Sequence, residues 1–250
     1  MSPTPPLEVF CPAELAGQPV FMVLPGGAYL HRADHEGAPV ARWLNSVGLN
    51  AIVVHYPIAP ERAHQILHPA PLTGVRRTLQ WLRSGESGLS IDTTRIGVLG
   101  FSAGGHLAAT LSTGAGETET TDRPDLTVLA YPVISLVSHA HQGSVDALLG
   151  PDSSRATRHL LSAEVCADAS TPPTFLWHTA DDDAVPVENS LSFASALARN
   201  DVPFEMHIFP HGRHGLGLAT DEEEVAQHSA AGWAELCSTW LTRQGWHPSV

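Results

Sequence analysis

Gly100, Ser102 and Gly104 form a G-x-S-x-G pentapeptide whose serine could act as a nucleophile. A serine hydroxyl attacks a carbonyl carbon when a base accepts its proton and amide donors stabilise the oxyanion that forms. In such a pentapeptide the serine lies on a strained turn between a strand and a helix, and the glycines let these elements approach closely. An apolar run before the pentapeptide and small residues after it fit this context, so Ser102 is the candidate nucleophile.

Candidates for the base and for the acid that orients it follow in two later loops. Three aspartates, residues 181–183, come after an apolar run that ends at His178. His211 and His214 come after another run that ends at Phe209. The chain has 15 histidines, so the position after a strand, rather than the residue type, makes these two candidates for the base. The residues alone leave the choice between the two histidines open, and the choice among the aspartates as well, because aspartate also caps helices and shapes turns.

Amide donors for an oxyanion are expected from two places in the chain. One is the backbone N–H of Ala103, directly after the nucleophile. The other is the loop formed by residues 25–29, which follows the first strong strand and contains Gly26 and Gly27. Glycines allow a backbone to turn its amides toward a developing oxyanion with no side chain in the way.

These loops need a scaffold that brings them together, and the pattern of the chain predicts one. Continuous apolar runs alternate with helix-like segments, which is typical of a mostly parallel sheet covered by helices on both faces. Strands are predicted at residues 20–24, 51–55, 96–99, 126–130, 174–178 and 204–209, and helices near residues 38–47, 72–83, 103–112, 187–198 and about 223–242. We predict a single α/β domain over residues 1–250, with residues 1–18 as a loose lead-in. The stretch 132–173 has no clear strand and is predicted to be a small excursion over the sheet edge.

Composition limits the partners and the compartment. The formal net charge of −13 disfavours nucleic acids and anionic membranes as partners. No apolar run approaches the roughly 20 residues of a membrane span, and the N-terminus lacks a secretory pattern, so a cytoplasmic location is expected. The 3 cysteines form no C-x-x-C, and no H-E-x-x-H is present, so neither a disulfide framework nor a metal site is expected.

Five motifs stand in order along nearly the whole chain, at residues 25–29, 100–108, 130–135, 178–190 and 209–218. Together they resemble the bacterial esterase branch of the α/β-hydrolases, close to acetylesterases and xylan or feruloyl esterases and related to the hormone-sensitive-lipase-like group. The resemblance implies an α/β-hydrolase fold and no cofactor. It also implies a catalytic triad, with the acid four residues before the proline of a Val-Pro pair, and oxyanion donors: Ser102, Asp182 and His214 form the triad, and Gly27, Ala28 and Ala103 are the donors.

Three positions depart from the family pattern and bear on fine specificity. Ala28 stands where a third glycine is common, Pro57 where an arginine is usual, and Thr73 where an aspartate is usual. The chain before the first strand is too short for the helical cap of the lipase-like group, so we expect no large cap and an open, shallow acyl site. Such a site favours a small acyl group on a bulky alcohol.

The expected function is that of a serine carboxylic-ester hydrolase acting on short-chain acyl esters, above all acetyl esters, of small molecules or oligosaccharides such as sugars or xylan fragments. Two alternatives share the fold. A serine peptidase of the prolyl-oligopeptidase type is disfavoured because no propeller domain is present in the sequence. A hydrolase-fold protein that only binds a ligand has no evident need for a complete triad.

Overall fold

A computed structural model describes residues 5–62, 66–116, 122–220 and 229–246. Seven strands form one sheet, with the bounds β1 Leu7–Phe10, β2 Val20–Leu24, β3 Asn50–Val54, β4 Ile96–Phe101, β5 Leu126–Ala130, β6 Thr174–Thr179 and β7 Phe204–Phe209. The strand order is β1-β3-β2-β4-β5-β6-β7, and every neighbouring pair is parallel except β1 with β3. The six strands predicted from the sequence all form, in a mostly parallel sheet.

Helices cover both faces of this sheet. Their bounds are α1 Ala38–Ser46, α2 Ala70–Arg83, α3 Ser102–Thr113, α4 Gln142–Leu149, α5 Arg155–Leu160, α6 Ala163–Cys166, α7 Glu188–Arg199 and α8 Trp233–Arg243, with short 3₁₀ helices at Ala13–Leu15, Asp34–Glu36 and Ala59–Arg62. Buried side chains of α2, α3, α4 and α7 share one hydrophobic cluster, and those of α1 and α8 share a second cluster on the opposite face. The predicted arrangement of helices on both faces is confirmed.

The strand β2 shows why the central strands are continuously apolar. Val20, Met22 and Leu24 belong to the first cluster, whereas Phe21 and Val23 belong to the second. All five side chains are fully buried, because successive residues of a strand point to opposite faces and both faces are covered. The sheet therefore forms a rigid platform, and the loops at the carboxyl ends of its parallel strands lie along one edge.

The prediction of a loose lead-in over residues 1–18 is wrong for its middle part. Leu7–Phe10 forms an edge strand antiparallel to β3, with Leu7 opposite Val54 and Phe10 opposite Ala51. This strand is short and half-exposed, so it lacks the apolar run by which the buried strands were recognised. Residues 1–4 lie outside the described residues.

Two further predictions need correction. The stretch 132–173 holds α4, α5 and α6, and α6 packs against α3 and α7 on one face of the sheet instead of passing over the sheet edge. The last helix begins at Trp233 and not near residue 223, since residues 229–232 are not helical; residues 221–228 lie outside the described part of the chain. Among the described residues, no helix has the length and apolar character needed to cross a membrane.

Candidate active site

The candidate nucleophile lies on a strained turn between β4 and α3. Ser102 directly follows the last residue of β4, has a φ of +50° and is 6% exposed. A β-carbon on Gly104 would overlap the carbonyl oxygen of Leu24, and one on Gly100 would overlap the carbonyl oxygen of Gly104. Both glycines are therefore required for strand and helix to close around the serine, as the pentapeptide predicts.

The structure brings Ser102, His214 and Asp182 together in a hydrogen-bonded line. Nε2 of His214 lies 2.7 Å from Oγ of Ser102, and Nδ1 lies 2.7 Å from Oδ2 of Asp182. Because a carboxylate only accepts, Nδ1 carries the proton, and Nε2 is left with a lone pair directed at the serine hydroxyl. The imidazole is thus held in the tautomer that can accept the hydroxyl proton.

The carboxylate of Asp182 is held by donors on both of its oxygens. Oδ1 accepts the backbone N–H groups of Ala184 and Val185 at 2.9 and 2.8 Å. Its side chain has no exposed area. Burial raises the pKa of this carboxyl group, but hydrogen bonds from His178 and His214 outweigh burial and bring the pKa below its usual value. Asp182 is therefore ionised at neutral pH.

The other candidates for base and acid lie outside this line. His211 and Asp181 pair with each other at the surface, with Nδ1 of His211 3.0 Å from Oδ2 of Asp181, and the N–H of Gly212 donates to Oδ1 of Asp181 at 2.8 Å. The His211 side chain is 72% exposed, and Asp183 is exposed as well. This pair joins the loops after β6 and β7, so its position indicates a structural role.

The loop after β2 and the first turn of α3 present three free amides. Gly27 and Ala28 both have positive φ, at +121° and +55°. Within the described residues, the amides of Gly27, Ala28 and Ala103 donate to no protein acceptor, whereas that of Gly26 donates to Glu36. A β-carbon on Gly26 would lie 2.9 Å from Cβ of Ser102, so this loop packs directly against the nucleophile.

A buried carboxylate that the sequence analysis did not single out connects three loops of the site. Oε2 of Glu36 accepts the N–H of Gly26 at 2.6 Å, and Oε1 accepts the hydroxyl of Tyr131 at 2.6 Å. The same hydroxyl oxygen accepts the N–H of Gly217 at 2.8 Å. The ring of Tyr131 packs edge-on against that of His214, with 4.9 Å between centroids. Glu36 thus couples the loop of free amides to the loop that carries the candidate base.

A second buried pair fixes the amide loop to α3. The hydroxyl of Tyr29 lies 2.7 Å from Nδ1 of His106, and Nε2 of that ring lies 2.8 Å from the carbonyl oxygen of Leu161. Since a carbonyl only accepts, Nε2 carries the proton and Nδ1 accepts the tyrosine hydroxyl. Burial lowers the pKa of His106 to about 4, so the ring is neutral. Tyr56 donates to the carbonyl oxygen of Pro25 at the start of the same loop.

The loop after β5 borders the site on the side opposite the free amides. The N–H of Val133 donates to the carbonyl oxygen of Ser102 at 3.0 Å. At the end of this loop, Nδ1 of His141 accepts the N–H of Ser144 and caps α4. Burial is the main cause that lowers the pKa of His141, proximity to His214 lowers it further, and the carboxylate of Asp182 acts in the opposite direction. Over the described residues, no group of three or more histidine, cysteine, aspartate or glutamate side chains could hold a metal ion.

Comparison with known proteins places this geometry in a family. The family model described as BD-FAE matches residues 7–197. Endo-1,4-beta-xylanase B of Butyrivibrio fibrisolvens is 35% identical over 209 residues, which cover 80% of this chain and 33% of that protein. The acetylxylan esterase of Xylanibacter ruminicola is 30% identical over 217 residues, which cover 84% of this chain and 43% of that protein. The chain therefore spans less than half the length of these two curated relatives.

A solved structure is similar to this chain in sequence and fold over nearly its whole length. The acetyl ester-xyloside bifunctional hydrolase of Caldicellulosiruptor lactoaceticus is 47% identical, with a TM-score of 0.86, over 97% of this chain and 89% of that one. The carboxylesterase Cest-2923 of Lactobacillus plantarum is 28% identical, with a TM-score of 0.77, over 94% of this chain and 89% of that one. The chain belongs to the BD-FAE family, within the esterase branch of the α/β-hydrolases.

Proposed function

We propose that the protein is a serine carboxylic-ester hydrolase that removes short acyl groups, above all acetyl, from sugar or xylan-fragment esters. The observation that carries this proposal is the 2.7 Å contact between Oγ of Ser102 and Nε2 of His214, with the buried carboxylate of Asp182 behind the ring. Nucleophile, base and orienting acid are then in hydrogen-bond reach of one another, as acyl transfer requires.

The reaction proceeds through an acyl-enzyme in two steps. Oγ of Ser102 attacks the ester carbonyl carbon while Nε2 of His214 accepts the hydroxyl proton, and the negative charge of Asp182 stabilises the imidazolium. His214 then donates this proton to the departing alcohol oxygen, which leaves the acyl group bonded to Oγ. In the second step water attacks the acyl carbon while Nε2 of His214 accepts a proton from it; the bond between Oγ and the acyl carbon then breaks, Oγ takes the proton back from His214, and the carboxylic acid departs.

Backbone amides would stabilise the charge that develops on the carbonyl oxygen. Gly27, Ala28 and Ala103 are the proposed donors, because their N–H groups donate to no acceptor among the described residues and flank the nucleophile. Donors fixed before the reaction stabilise an oxyanion without the cost of reorganisation. Ala28 stands where a third glycine is usual and has a φ of +55°, in the left-handed region that favours glycine, and its methyl group leaves the backbone N–H in place as a donor.

The proposed substrate class rests on the relatives and on the architecture. Two relatives are named for hydrolysis of acetylxylan or of an acetyl ester-xyloside. Over the described residues, the chain between β5 and β6 forms only the short helices α4 to α6 and no large helical cap is present, which favours an open site. An open site of this kind suits a small acyl group on a large alcohol. A cytoplasmic location and a single domain over residues 1–250 stay predictions from the sequence.

A pre-steady-state burst tests the proposal. Mixed with excess p-nitrophenyl acetate, the wild type should release a burst of p-nitrophenol that matches the enzyme concentration whenever deacylation is slower than acylation. Ser102→Ala and His214→Ala should show no burst, and they should hydrolyse the ester no faster than a folded control protein does. His211→Ala should keep wild-type turnover. Hydrolysis that survives Ser102→Ala would contradict the mechanism.

The length of the acyl chain tests the proposed acyl specificity. With p-nitrophenyl acetate, butyrate and octanoate, kcat/KM should fall as the chain lengthens. Acetylated xylo-oligosaccharides should be deacetylated, and the released acetate is measured directly. A preference for octanoate would overturn the assignment of a small acyl group while leaving the serine mechanism intact.

A further inference from the structure

The triad acid has a second histidine partner that the mechanism above does not use. His178, the fifth residue of β6, is fully buried, and its Nε2 lies 3.2 Å from Oδ2 of Asp182. This is the oxygen that also accepts Nδ1–H of His214 at 2.7 Å. One carboxylate oxygen therefore faces two imidazole rings, one from the base and one from the sheet.

The surroundings of His178 fix which nitrogen carries the proton. Nε2 also lies 2.9 Å from the carbonyl oxygen of Val185, and a carbonyl and a carboxylate both only accept. Nε2 is therefore protonated and shares its N–H between these two acceptors. On the other side of the ring, Nδ1 lies 2.8 Å from Oγ of Ser190, whose hydroxyl can donate to it. A neutral ring in this tautomer satisfies all of its neighbours.

We propose that His178 is a positioning residue for catalysis, which holds Asp182 in place and tunes how strongly its charge acts on His214. The proposal rests on the proposed serine mechanism. The N–H of His178 fixes the rotation of the carboxylate and withdraws part of the negative charge from Oδ2. His214 must be neutral to accept the serine proton. An additional donor on Asp182 therefore extends the working range of the base toward lower pH.

Three other groups bear on the charge of His214, and the test must hold them constant. Tyr131 packs against the base ring, and His141 interacts electrostatically with it. Ser102 donates to its Nε2. Variants at His178 and Ser190 leave all three untouched, so a change in the pH profile reports on the contact with Asp182.

The experiment compares His178→Leu, His178→Gln and Ser190→Ala in the full chain. We expect His178→Leu to lower kcat about tenfold, with little change in KM, and to move the acid limb of kcat/KM upward by about half a pH unit. His178→Gln can place an amide N–H near the original Nε2, so it should recover most of both effects. Ser190→Ala removes the hydroxyl that can donate to Nδ1 and so supports this tautomer, and it should give a smaller shift in the same direction.

NMR titration of the His214 ring protons supplies a readout that needs no turnover, and it should show the same upward shift in His178→Leu. Two results would overturn the proposal. One is a His178→Leu variant whose acid limb and His214 titration both lie at the wild-type pH. The other is an equal loss of kcat in His178→Leu and His178→Gln. If His178→Leu does not fold, Ser190→Ala decides: a wild-type acid limb in that variant would contradict the proposal. A wild type without esterase activity would instead refute the proposed function.

Discussion

Asparagine in place of Asp182 changes the chemistry of the site while preserving its shape. In the wild type, the carboxylate of Asp182 accepts from four donors: the rings of His214 and His178 on one oxygen, and the amides of Ala184 and Val185 on the other. An asparagine amide has one acceptor atom and one donor group. Whichever way it turns, its NH₂ faces two N–H groups that need an acceptor.

The favoured orientation keeps the oxygen toward the backbone amides and turns the NH₂ toward His214. The ring must then accept at Nδ1 and carry its proton on Nε2, where it cannot take the proton of Ser102. We expect kcat to fall about 10⁴-fold, equivalent to about 5.5 kcal/mol in the activation barrier. Replacement of Ser102 or His214 by alanine should lower kcat by more than about 10⁴-fold, because Asp182→Asn keeps both of these side chains.

The neighbouring acid provides a matched control. Asp181 contacts His211 in a pair of similar chemistry, but 51% of the Asp181 side chain is exposed and neither residue touches Ser102. Asp181→Asn should therefore change kcat on p-nitrophenyl acetate by less than about twofold. Thermal unfolding of both variants verifies that they are folded.

Two results would refute this reasoning. One is an Asp182→Asn variant with kcat within tenfold of the wild type. The other is an Asp181→Asn variant that loses as much activity as Asp182→Asn, because the surface pair would then be part of the catalytic machinery.

Two further predictions concern buried polar contacts, and a third concerns close packing at the elbow. Glu36→Gln leaves either the N–H of Gly26 or the hydroxyl of Tyr131 without an acceptor, so kcat should fall about tenfold. Affinity for a boronic acid that mimics the oxyanion should weaken in parallel. An unchanged inhibition constant would argue that Glu36 does not couple the amide loop to the loop of His214. The neutral ring of His106 contributes about 3 kcal/mol to the free energy of unfolding above its unfolded pKa of about 6.5, and this contribution is lost as pH falls through about 4. The decline of Tm over this pH range should therefore be shallower in His106→Gln than in the wild type. An equal decline would contradict the assignment of a neutral, buried His106 ring. Gly104→Ala places a β-carbon against the carbonyl oxygen of Leu24 and should destabilise the protein by more than about 3 kcal/mol in urea unfolding, whereas a wild-type midpoint would show that the elbow can relax.

Features that depend on local sterics and on periodicity could be predicted from the sequence. Ser102 could be selected as the candidate nucleophile because the elbow needs glycines at fixed positions, and these leave a pattern in the sequence. The six buried strands were recognisable because burial on both faces demands an unbroken apolar run. The choice of Asp182 over its neighbours came from family resemblance alone, because the spacing does not determine which of three adjacent aspartates faces the base.

Contacts between distant residues explain what the sequence analysis missed. Glu36 lies in a polar stretch, and the residue that makes it functional, Tyr131, is 95 positions away. In the sequence pattern His178 is only the last residue of a predicted strand. The one signal that could have exposed it is a histidine inside a strand that is otherwise apolar on both faces, since a buried polar side chain needs a specific partner. The strand Leu7–Phe10 gave no signal because an edge strand needs no continuous apolar run.

Trapping of the acyl-enzyme tests the central claim most directly. The wild type is mixed with p-nitrophenyl acetate, quenched in acid within the burst and digested for peptide mass spectrometry. The proposed mechanism predicts one acetyl group per protein on the peptide that contains Ser102, located on that serine by fragmentation and absent from Ser102→Ala. An acetyl group on another residue, in an enzyme whose hydrolysis continues without Ser102, would contradict it.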